Sequence, residues 1–238
     1  MSKLTVITIN LNNKQGLSET LQSVFNQTCF KFEHILIDGG SVDGSLELKS
    51  EYLCKTTGIS FKQISEPDKG IYNAMNKGIR MATGDYLLFL NSGDRLASVD
   101  VIERVLPYLN NENDIISGEL ELVKSGEVVT KLFPPLTVNL NYCISAGLTH
   151  PNTFIKRELF DRYGYYNEQN KIVSDWEFFL IACGLNSCKY KSIPILVSCF
   201  EMDGISSRND ELLEKETQEA LQRLLPWWKK LERYIRRK

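Results

Sequence analysis

Short apolar runs alternate with amphipathic segments along the first part of the chain. Four runs rich in β-branched and other apolar residues predict strands, at residues 4–9, 33–37, 59–64 and 86–90. Three segments between them place apolar residues at helical spacing and predict helices, at residues 16–26, 45–55 and 70–82. Strands that alternate with helices indicate βαβ units and a parallel sheet.

The pattern changes after residue 95. It predicts a hairpin around Ser125 and Gly126, formed by residues 114–122 and 127–133. It also predicts strands at 152–156 and 195–200, and helices at 99–109, 157–163, 173–182 and 209–225. We therefore expect an α/β fold, with a mixed, mainly parallel sheet flanked by helices. One domain would span residues 1–207, followed by a C-terminal helical tail at 208–238.

Composition and charge narrow the function classes. The chain has 238 residues, 42% hydrophobic and 24% charged, which excludes disordered and fibrous proteins. The formal net charge of −2 argues against a nucleic-acid binder. Residues 226–238 carry a net charge of +5 together with Trp227 and Trp228, which leaves −7 for the rest. This segment predicts contact with an anionic membrane surface. The alternative is a solvated helix end with both tryptophans packed on the domain.

Cysteine usage and the N-terminus bear on location. The six cysteines include no CxxC pair, and there are two histidines, which argues against a structural zinc site. The N-terminus lacks the pattern of a signal peptide, and no stretch of about 20 uncharged apolar residues predicts a membrane span. We expect a cytoplasmic protein with free thiols, held through its tail at the inner face of the membrane.

Polar residues follow all four predicted strands of the first half. They are Asn10 and Asn12, then Asp38, then residues 66–69, and finally residues 91–94. Each alone is typical of a turn, but ligands of open α/β sheets bind at the carboxyl ends of the strands. The first turn reads NLNNKQG, not GxGxxG, and neither a P-loop nor a GxSxG motif is present. We expect a metal on Asp94 to hold the diphosphate of a nucleotide.

Six segments in order resemble the family 2 glycosyltransferases of the GT-A fold. They read TVITINLNN, HILIDGGSVDGS, SEPDKGIYNAMNKGIRMATGDYLLFLNSGD, THPNTFIKRELF, SDWEFFL and FEMDGISS, over residues 3–207. The resemblance is closest to bacterial enzymes that build surface polysaccharides. It implies inverting transfer from a nucleotide-diphosphate sugar, a UDP-sugar, to a lipid-linked saccharide acceptor. It also implies Mg²⁺ or Mn²⁺ as cofactor.

The resemblance implies a donor site made by residues from four segments. These are Thr8, Asn10, Asn12, Asp38, Asp68, Lys69, Asn76 and Asn91, with Asp94 as the metal ligand. Asp38 would hydrogen-bond the base, and Lys69 is alternatively a solvated surface lysine. Three positions depart from the family pattern: Gly39 replaces an aspartate, Met75 replaces an arginine, and residues 91–94 retain one carboxylate of the DxDD motif.

On the acceptor side, the resemblance implies that Asp175 is the catalytic base. We expect burial to raise the pKa of Asp175, with Trp176 as an apolar wall. The alternative is a helix N-terminal aspartate. Glu177 competes for the same role or binds the acceptor. His150 and Asp203 would border the diphosphate or the acceptor, although His150 also fits a buried structural role.

Two other functions remain open from the sequence. A sugar nucleotidyltransferase shares the α/β layout but normally has a Gly-rich, basic loop after the first strand, which NLNNKQG lacks. A catalytically silent sugar-nucleotide-binding or membrane-binding protein would explain the depleted DxDD motif.

Overall fold

The computed structural model describes residues 3–48, 58–202, 210–225 and 227. The strands are β1 Leu4–Asn10, β2 Glu33–Asp38, β3 Ser60–Ser65, β4 Tyr86–Phe89, β5 Arg95–Leu96, β6 Ile115–Lys124, β7 Glu127–Leu132, β8 Thr153–Lys156 and β9 Tyr190–Glu201. The helices are α1 Lys14–Phe25, α2 Ile71–Met81, α3 Val101–Val105, α4 Leu140–Ser145, α5 Glu158–Tyr163, α6 Ser174–Phe179 and α7 Asp210–Leu224.

The strands form one mixed sheet in the order β3-β2-β1-β4-β8-β6-β9-β5, with β7 paired to β6. Strands β3, β2, β1 and β4 are parallel, as the sequence predicts, while β8 is antiparallel to both β4 and β6. The predicted hairpin of β6 and β7 is also present. Because β1 lies between β2 and β4, the carboxyl ends of these three strands meet at one edge of the sheet.

Both faces of the sheet are covered. Successive residues of a strand point to opposite faces, and neighbouring residues of β1 accordingly join different core layers. Ile7 packs in a cluster with Met75 and Phe178, whereas Val6 packs in a second cluster with Val101. Every residue of β1 and β2 is buried. This burial explains why polar and apolar residues do not alternate strictly along either strand.

Some predicted elements have different bounds. The segment at 99–109 is α3 followed by a 3₁₀ turn, Leu106–Tyr108, and the segment at 173–182 is α6 followed by a π-helical segment, Leu180–Leu185. Of the helix predicted at 45–55, the structure describes a 3₁₀ turn at Ser45–Glu47, and residues 49–57 lie outside the described ranges. Helix α4 was not predicted, although Asn139 caps it by accepting a hydrogen bond from the N–H of Tyr142.

Helix α7 packs onto the rest of the domain. Its residues Ala220 and Leu221 are buried, and Leu221 and Leu225 belong to the core cluster on the α2 face of the sheet. In the basic segment beyond it, Trp227 is 75% exposed, and residues 226 and 228–238 lie outside the described part of the chain. None of the helices within the described ranges has the length and apolar character needed to cross a membrane.

One pair of cysteines corrects the expectation of free thiols. Cys183 and Cys188 form a disulfide in the π-helical segment and the turn that follows it, with their Cα atoms 4.7 Å apart. The N–H of Cys188 donates to the carbonyl oxygen of Ala182 at 3.0 Å, which brings the turn back beside Cys183. Cys29, Cys143 and Cys199 are free, whereas Cys54 lies outside the described residues.

His34 generates a prediction about stability. Its imidazole is inaccessible in β2, packs against Phe25 and Phe61, and lies 3.0 Å from the Thr8 hydroxyl through Nε2. Burial lowers the pKa of His34 from 6.5 to about 3. Below pH 6.5 the imidazole of His34 is therefore protonated in the unfolded chain but stays neutral in the folded chain. The free energy of unfolding consequently falls as the pH drops.

We predict that His34→Gln weakens this pH dependence. Between about pH 7.5 and about pH 5, the wild type should lose about 2 kcal/mol more of its free energy of unfolding than the variant does. Urea denaturation at both pH values measures the difference. Equal losses in the two proteins would contradict the assigned neutral state of His34.

Candidate active site

A cleft of about 870 Å³ opens at the carboxyl ends of β1 and β4. The first turns of α2 and the loop before α6 form its other walls. Six of the residues predicted for the site line this cleft: Asn10, Asp68, Asn91, Asp94, His150 and Asp175. The structure therefore brings together residues that are separated by up to 165 positions in the chain.

Hydrogen bonds join three of these residues and a tyrosine across the cleft. Asn91 Nδ2 lies 3.1 Å from His150 Nε2, and His150 Nδ1 lies 2.9 Å from Asp175 Oδ2. The hydroxyl of Tyr72 lies 3.0 Å from Asp175 Oδ1. With the neutral imidazole protonated on Nδ1, His150 donates to Asp175 and accepts from Asn91. Both ends of the Asp175 carboxylate are therefore fixed.

The electrostatics of this pair correct the expected pKa of Asp175. Burial opposes the charge of the carboxylate, but hydrogen bonds from His150 and Tyr72 and the charge of His150 lower the pKa of Asp175 below its usual value. For His150, burial opposes the charged form, but Asp175 and the charge of Asp94 raise its pKa. The prediction of a raised Asp175 pKa is wrong because the sequence could not show the histidine beside it.

The pKa of Asp94 is shifted in the opposite direction to that of Asp175. Its side chain is 3% exposed, and Oδ2 accepts a hydrogen bond from the N–H of Asn91 at 3.0 Å. Burial raises the pKa of Asp94 to about 6, even though the charge of His150 acts to lower it. A raised pKa means that the charge of this carboxylate is incompletely compensated within the protein.

This donor set fits a divalent cation only in part. Among the side chains in the described ranges, no cluster of three or more His, Cys, Asp or Glu residues could hold a metal ion by itself. Mg²⁺ and Mn²⁺ commonly take one or two carboxylates and complete their coordination with phosphate oxygens and waters. Asp94 suits such a shared site because it is a cleft-lining carboxylate with uncompensated charge.

The turn that carries Asn91 and Asp94 is held in place by α1. Thr20 Oγ1 donates to the carbonyl oxygen of Asp94 at 2.7 Å and accepts from the N–H of Gly93 at 3.0 Å. Gly93 has a φ of 113°, a backbone conformation that favours glycine. The Thr20 hydroxyl thus binds two backbone groups of the turn, one N–H and one carbonyl.

Asp38 is buried at the end of β2. Its carboxylate accepts hydrogen bonds from Asn10 Nδ2, the N–H of Gly40, the N–H and hydroxyl of Ser41, and the hydroxyl of Ser65. Burial opposes its charge, but these bonds, led by those of Ser41 and Asn10, lower the pKa of Asp38. Asp38 itself does not line the cleft, but it holds the side chain of Asn10, and Asn10 does line the cleft.

Gly39, where the family pattern has a second aspartate, lies against Asp68. A Cβ atom at residue 39 would be 2.4 Å from Asp68 Oδ2. Asp68 also accepts a hydrogen bond from the N–H of Gly70 at 2.9 Å, and it lines the cleft. The glycine therefore makes room for a carboxylate from a different loop.

Besides Asp38, four of the residues predicted for the donor site are not among those that line the cleft. Thr8 is buried against His34, and the side chain of Asn12 accepts from the N–H of Val42. Lys69 is exposed and outside the cleft lining. The amide of Asn76 bonds to the backbone of Tyr166 and to Glu168, so it fastens α2 to the loop before α6.

Two of the residues predicted for the acceptor side are not among those that line the cleft. Trp176 donates from Nε1 to the carbonyl oxygen of Cys143 at 2.6 Å. Glu177 accepts from Asn170 at 2.8 Å and from Arg223 of α7 at 2.6 Å. Asp203 lies outside the described residues.

Comparison with known sequences gives a consistent set of relatives. The family model described as Glycosyl transferase family 2 matches residues 5–164. A PGL/p-HBAD biosynthesis glycosyltransferase of Mycobacterium bovis is 30% identical over 208 residues, covering 85% of this chain and 78% of the relative. A poly(ribitol-phosphate) beta-glucosyltransferase of Bacillus spizizenii is 29% identical over 137 residues, covering 55% of this chain and 21% of the relative.

Solved structures share the fold. S. aureus TarS 1-349 in complex with UDP-GlcNAc superposes with a TM-score of 0.74 at 18% identity, covering 92% of this chain and 64% of that chain. The mannosyltransferase PcManGT of Pyrobaculum calidifontis, in complex with GDP-Man and Mn2+, gives a TM-score of 0.62 at 18% identity, covering 83% of this chain and 56% of that chain. The predicted GT-A fold is confirmed.

We predict that Thr20→Val destabilises the protein through the turn at residues 91–94. The variant keeps the shape of the side chain but leaves the N–H of Gly93 and the carbonyl of Asp94 without the Thr20 hydroxyl. We expect a loss of about 1–3 kcal/mol in the free energy of unfolding. Thr217→Val is the matched control, because within the described residues its hydroxyl bonds to the carbonyl of Leu213 in the same helix. Equal losses of stability in both variants would contradict the assigned role of the Thr20 hydroxyl in holding the turn at residues 91–94.

Proposed function

Since the chain belongs to glycosyltransferase family 2, we propose that it transfers a sugar from a UDP-sugar to a saccharide acceptor with inversion at the anomeric carbon. The acceptor would be lipid-linked, and the product would be a cell-surface polysaccharide. Family membership makes the chain a glycosyltransferase and removes the support for a sugar nucleotidyltransferase. What we propose beyond family membership is the identity of the two substrates, a hexosyl nucleotide as donor and a lipid-linked saccharide as acceptor.

One observation carries the proposal: the cleft brings together two carboxylates, Asp94 after β4 and Asp175 at the start of α6, and the second is hydrogen-bonded at both oxygens. Asp94 has a raised pKa and an uncompensated charge, and Asp175 has a lowered pKa and is fixed by His150 and Tyr72. Two acids whose environments separate their pKa values can serve different roles in one reaction. A silent binding protein would not need the second carboxylate to be held in this way.

The relatives support this choice of substrates. The solved TarS complex contains UDP-GlcNAc, and the mannosyltransferase complex contains GDP-Man, so nucleotide-diphosphate sugars occur on this fold. The relatives from M. bovis and B. spizizenii carry names that refer to PGL/p-HBAD biosynthesis and to glucosyl transfer to poly(ribitol-phosphate). A surface glycan as the product is consistent with both.

On the donor side, we assign Asn10, Asp68 and Asn91 to binding, because they line the cleft. Asp38 would act on the donor through Asn10, whose amide it holds at 2.9 Å. Asp94 would hold Mg²⁺ or Mn²⁺ together with the donor's diphosphate, and the cation would neutralise charge on the leaving group. Thr20 contributes by fixing the backbone of the Asp94 turn.

On the acceptor side, Asp175 would accept the proton of the attacking hydroxyl. The acceptor oxygen bonds to the anomeric carbon while the bond from that carbon to the diphosphate breaks, and the proton moves to the carboxylate. A carboxylate of lowered pKa is a weak base, so we expect the proton to move late, when bonding to carbon has made the hydroxyl acidic. His150 holds Asp175 in place and links it to Asn91.

The remaining residues keep their proposed roles without direct contacts in support. Asp203 would border the diphosphate or the acceptor. The tail beyond Leu225 would hold the enzyme peripherally at the inner face of the membrane, in keeping with the exposure of Trp227. These proposals rest on charge and sequence pattern.

We predict that UDP-sugars raise the melting temperature and that Mn²⁺ increases the shift. UDP-glucose, UDP-GlcNAc and GDP-mannose are compared with and without Mn²⁺ by thermal shift, because a ligand at 100 times its Kd stabilises by about 2.7 kcal/mol. Asp94→Asn should remove the Mn²⁺-dependent part, whereas Asp161→Asn at an exposed position of α5 should keep it. Stabilisation by GDP-mannose alone would overturn the UDP assignment.

We predict that Asp175→Asn abolishes transfer and leaves donor binding unchanged. The amide cannot accept a proton, and general base catalysis typically contributes about 10²–10⁴-fold in rate. Transfer is measured as radiolabel moving from the UDP-sugar to membranes of the source organism, and donor Kd is measured by calorimetry. Transfer by the variant at the wild-type rate would refute the base assignment.

A further inference from the structure

Glu216 is a buried acid on α7, outside the cleft lining. Its side chain is 6% exposed, and its two oxygens accept hydrogen bonds from the N–H groups of Lys171 at 2.8 Å and Ile172 at 3.0 Å. Lys171 and Ile172 both line the cleft. Burying a carboxylate costs free energy unless its oxygens are hydrogen-bonded. Here both oxygens are used to hold one wall of the cleft.

The same stretch of backbone connects Glu216 to Asp175. The carbonyl oxygen of Ile172 accepts a hydrogen bond from the Tyr72 hydroxyl at 2.5 Å, and that hydroxyl also lies 3.0 Å from Asp175 Oδ1. A tyrosine hydroxyl has one proton, so these two acceptors compete for it. The position of the Ile172 carbonyl therefore influences how Tyr72 holds the carboxylate.

We propose that Glu216 is a positioning residue for the catalytic base. By holding residues 171 and 172 from α7, it sets the position of the Ile172 carbonyl, and through Tyr72 it sets the orientation of Asp175. The inference rests on the proposed role of Asp175 as the base. This role would make α7 part of the catalytic apparatus. Tyr72, which the sequence did not single out, would then link the Ile172 carbonyl to Asp175.

The anchoring of α7 supports this role. Ala220 and Leu221 pack in the core, and Arg223 lies 2.6 Å from Glu177, two residues beyond Asp175. The helix thus contacts α6 and the loop before it at two points, through Glu216 and through Arg223. A helix fixed in this way can hold the loop without moving itself.

The kinetic test compares Glu216→Gln, Tyr72→Phe, the double variant and the control Glu219→Gln, which changes an exposed acid of the same helix. A displacement of about 1 Å at the reacting groups can cost about 100-fold in rate. We expect Glu216→Gln and Tyr72→Phe each to lower kcat for transfer by roughly tenfold or more. The KM for the UDP-sugar should be unchanged in both variants. Glu219→Gln should match the wild type.

The double variant distinguishes a shared route from two separate effects. If Glu216 acts through Tyr72, the double variant should be no slower than the slower single variant, because the effects of residues in one network are not additive. Multiplying losses would overturn the proposal. A lowered melting temperature of Glu216→Gln with an unchanged kcat would also overturn it, since the residue would then be a structural support alone.

Crystal structures of the wild type and Glu216→Gln test the inference independently of activity. We expect the Tyr72 hydroxyl at 3.0 Å from Asp175 Oδ1 in the wild type, and a changed distance between these two atoms in the variant, because the Ile172 carbonyl that competes for the Tyr72 proton has moved. An unchanged Tyr72 and Asp175 in the variant would contradict the proposal. Inactivity of the wild type with every UDP-sugar would instead count against the proposed function, and the two structures would still decide the role of Glu216.

Discussion

The need to pair a buried carboxylate organises the cleft. Asp175 is only 16% exposed at the start of α6, and an unpaired charge at such a position would be costly. His150 and Tyr72 supply the hydrogen bonds, and each comes from a different part of the chain. Meeting this one requirement joins four elements: the turn after β4, the 3₁₀ turn His150–Asn152 before β8, and helices α2 and α6. The pairing therefore fixes the geometry of the site.

Asp94 shows the opposite solution within the same cleft. It is less accessible than Asp175, at 3% against 16% exposed, but its charge is left incompletely compensated, and its pKa rises to about 6. The difference follows from neighbours, because His150 donates to Asp175 and only acts at a distance on Asp94. A cation shared with a diphosphate would complete the environment of Asp94. The two acids thus suit the two ends of a glycosyl transfer.

The sequence predicted the parallel half of the sheet because β1, β2 and β4 each contain a short apolar stretch and alternate with segments of helical spacing. It also predicted that Asn10, Asn91 and Asp94 share one edge, since parallel strands end on the same side. It could not predict Tyr72 or Glu216, because both appear as ordinary helix residues and their partners are far along the chain. Tyr72 and Asp175 are 103 residues apart. The lowered pKa of Asp175 was missed for the same reason.

A crystal structure with UDP-GlcNAc and Mn²⁺ tests the central claim most directly. The account predicts the diphosphate and the cation at Asp94, with the anomeric carbon of the sugar between them and Asp175. Asp175 should face the side of that carbon opposite to the leaving diphosphate, as inversion requires. A nucleotide bound outside the cleft, or Asp175 on the same side as the diphosphate, would contradict the account.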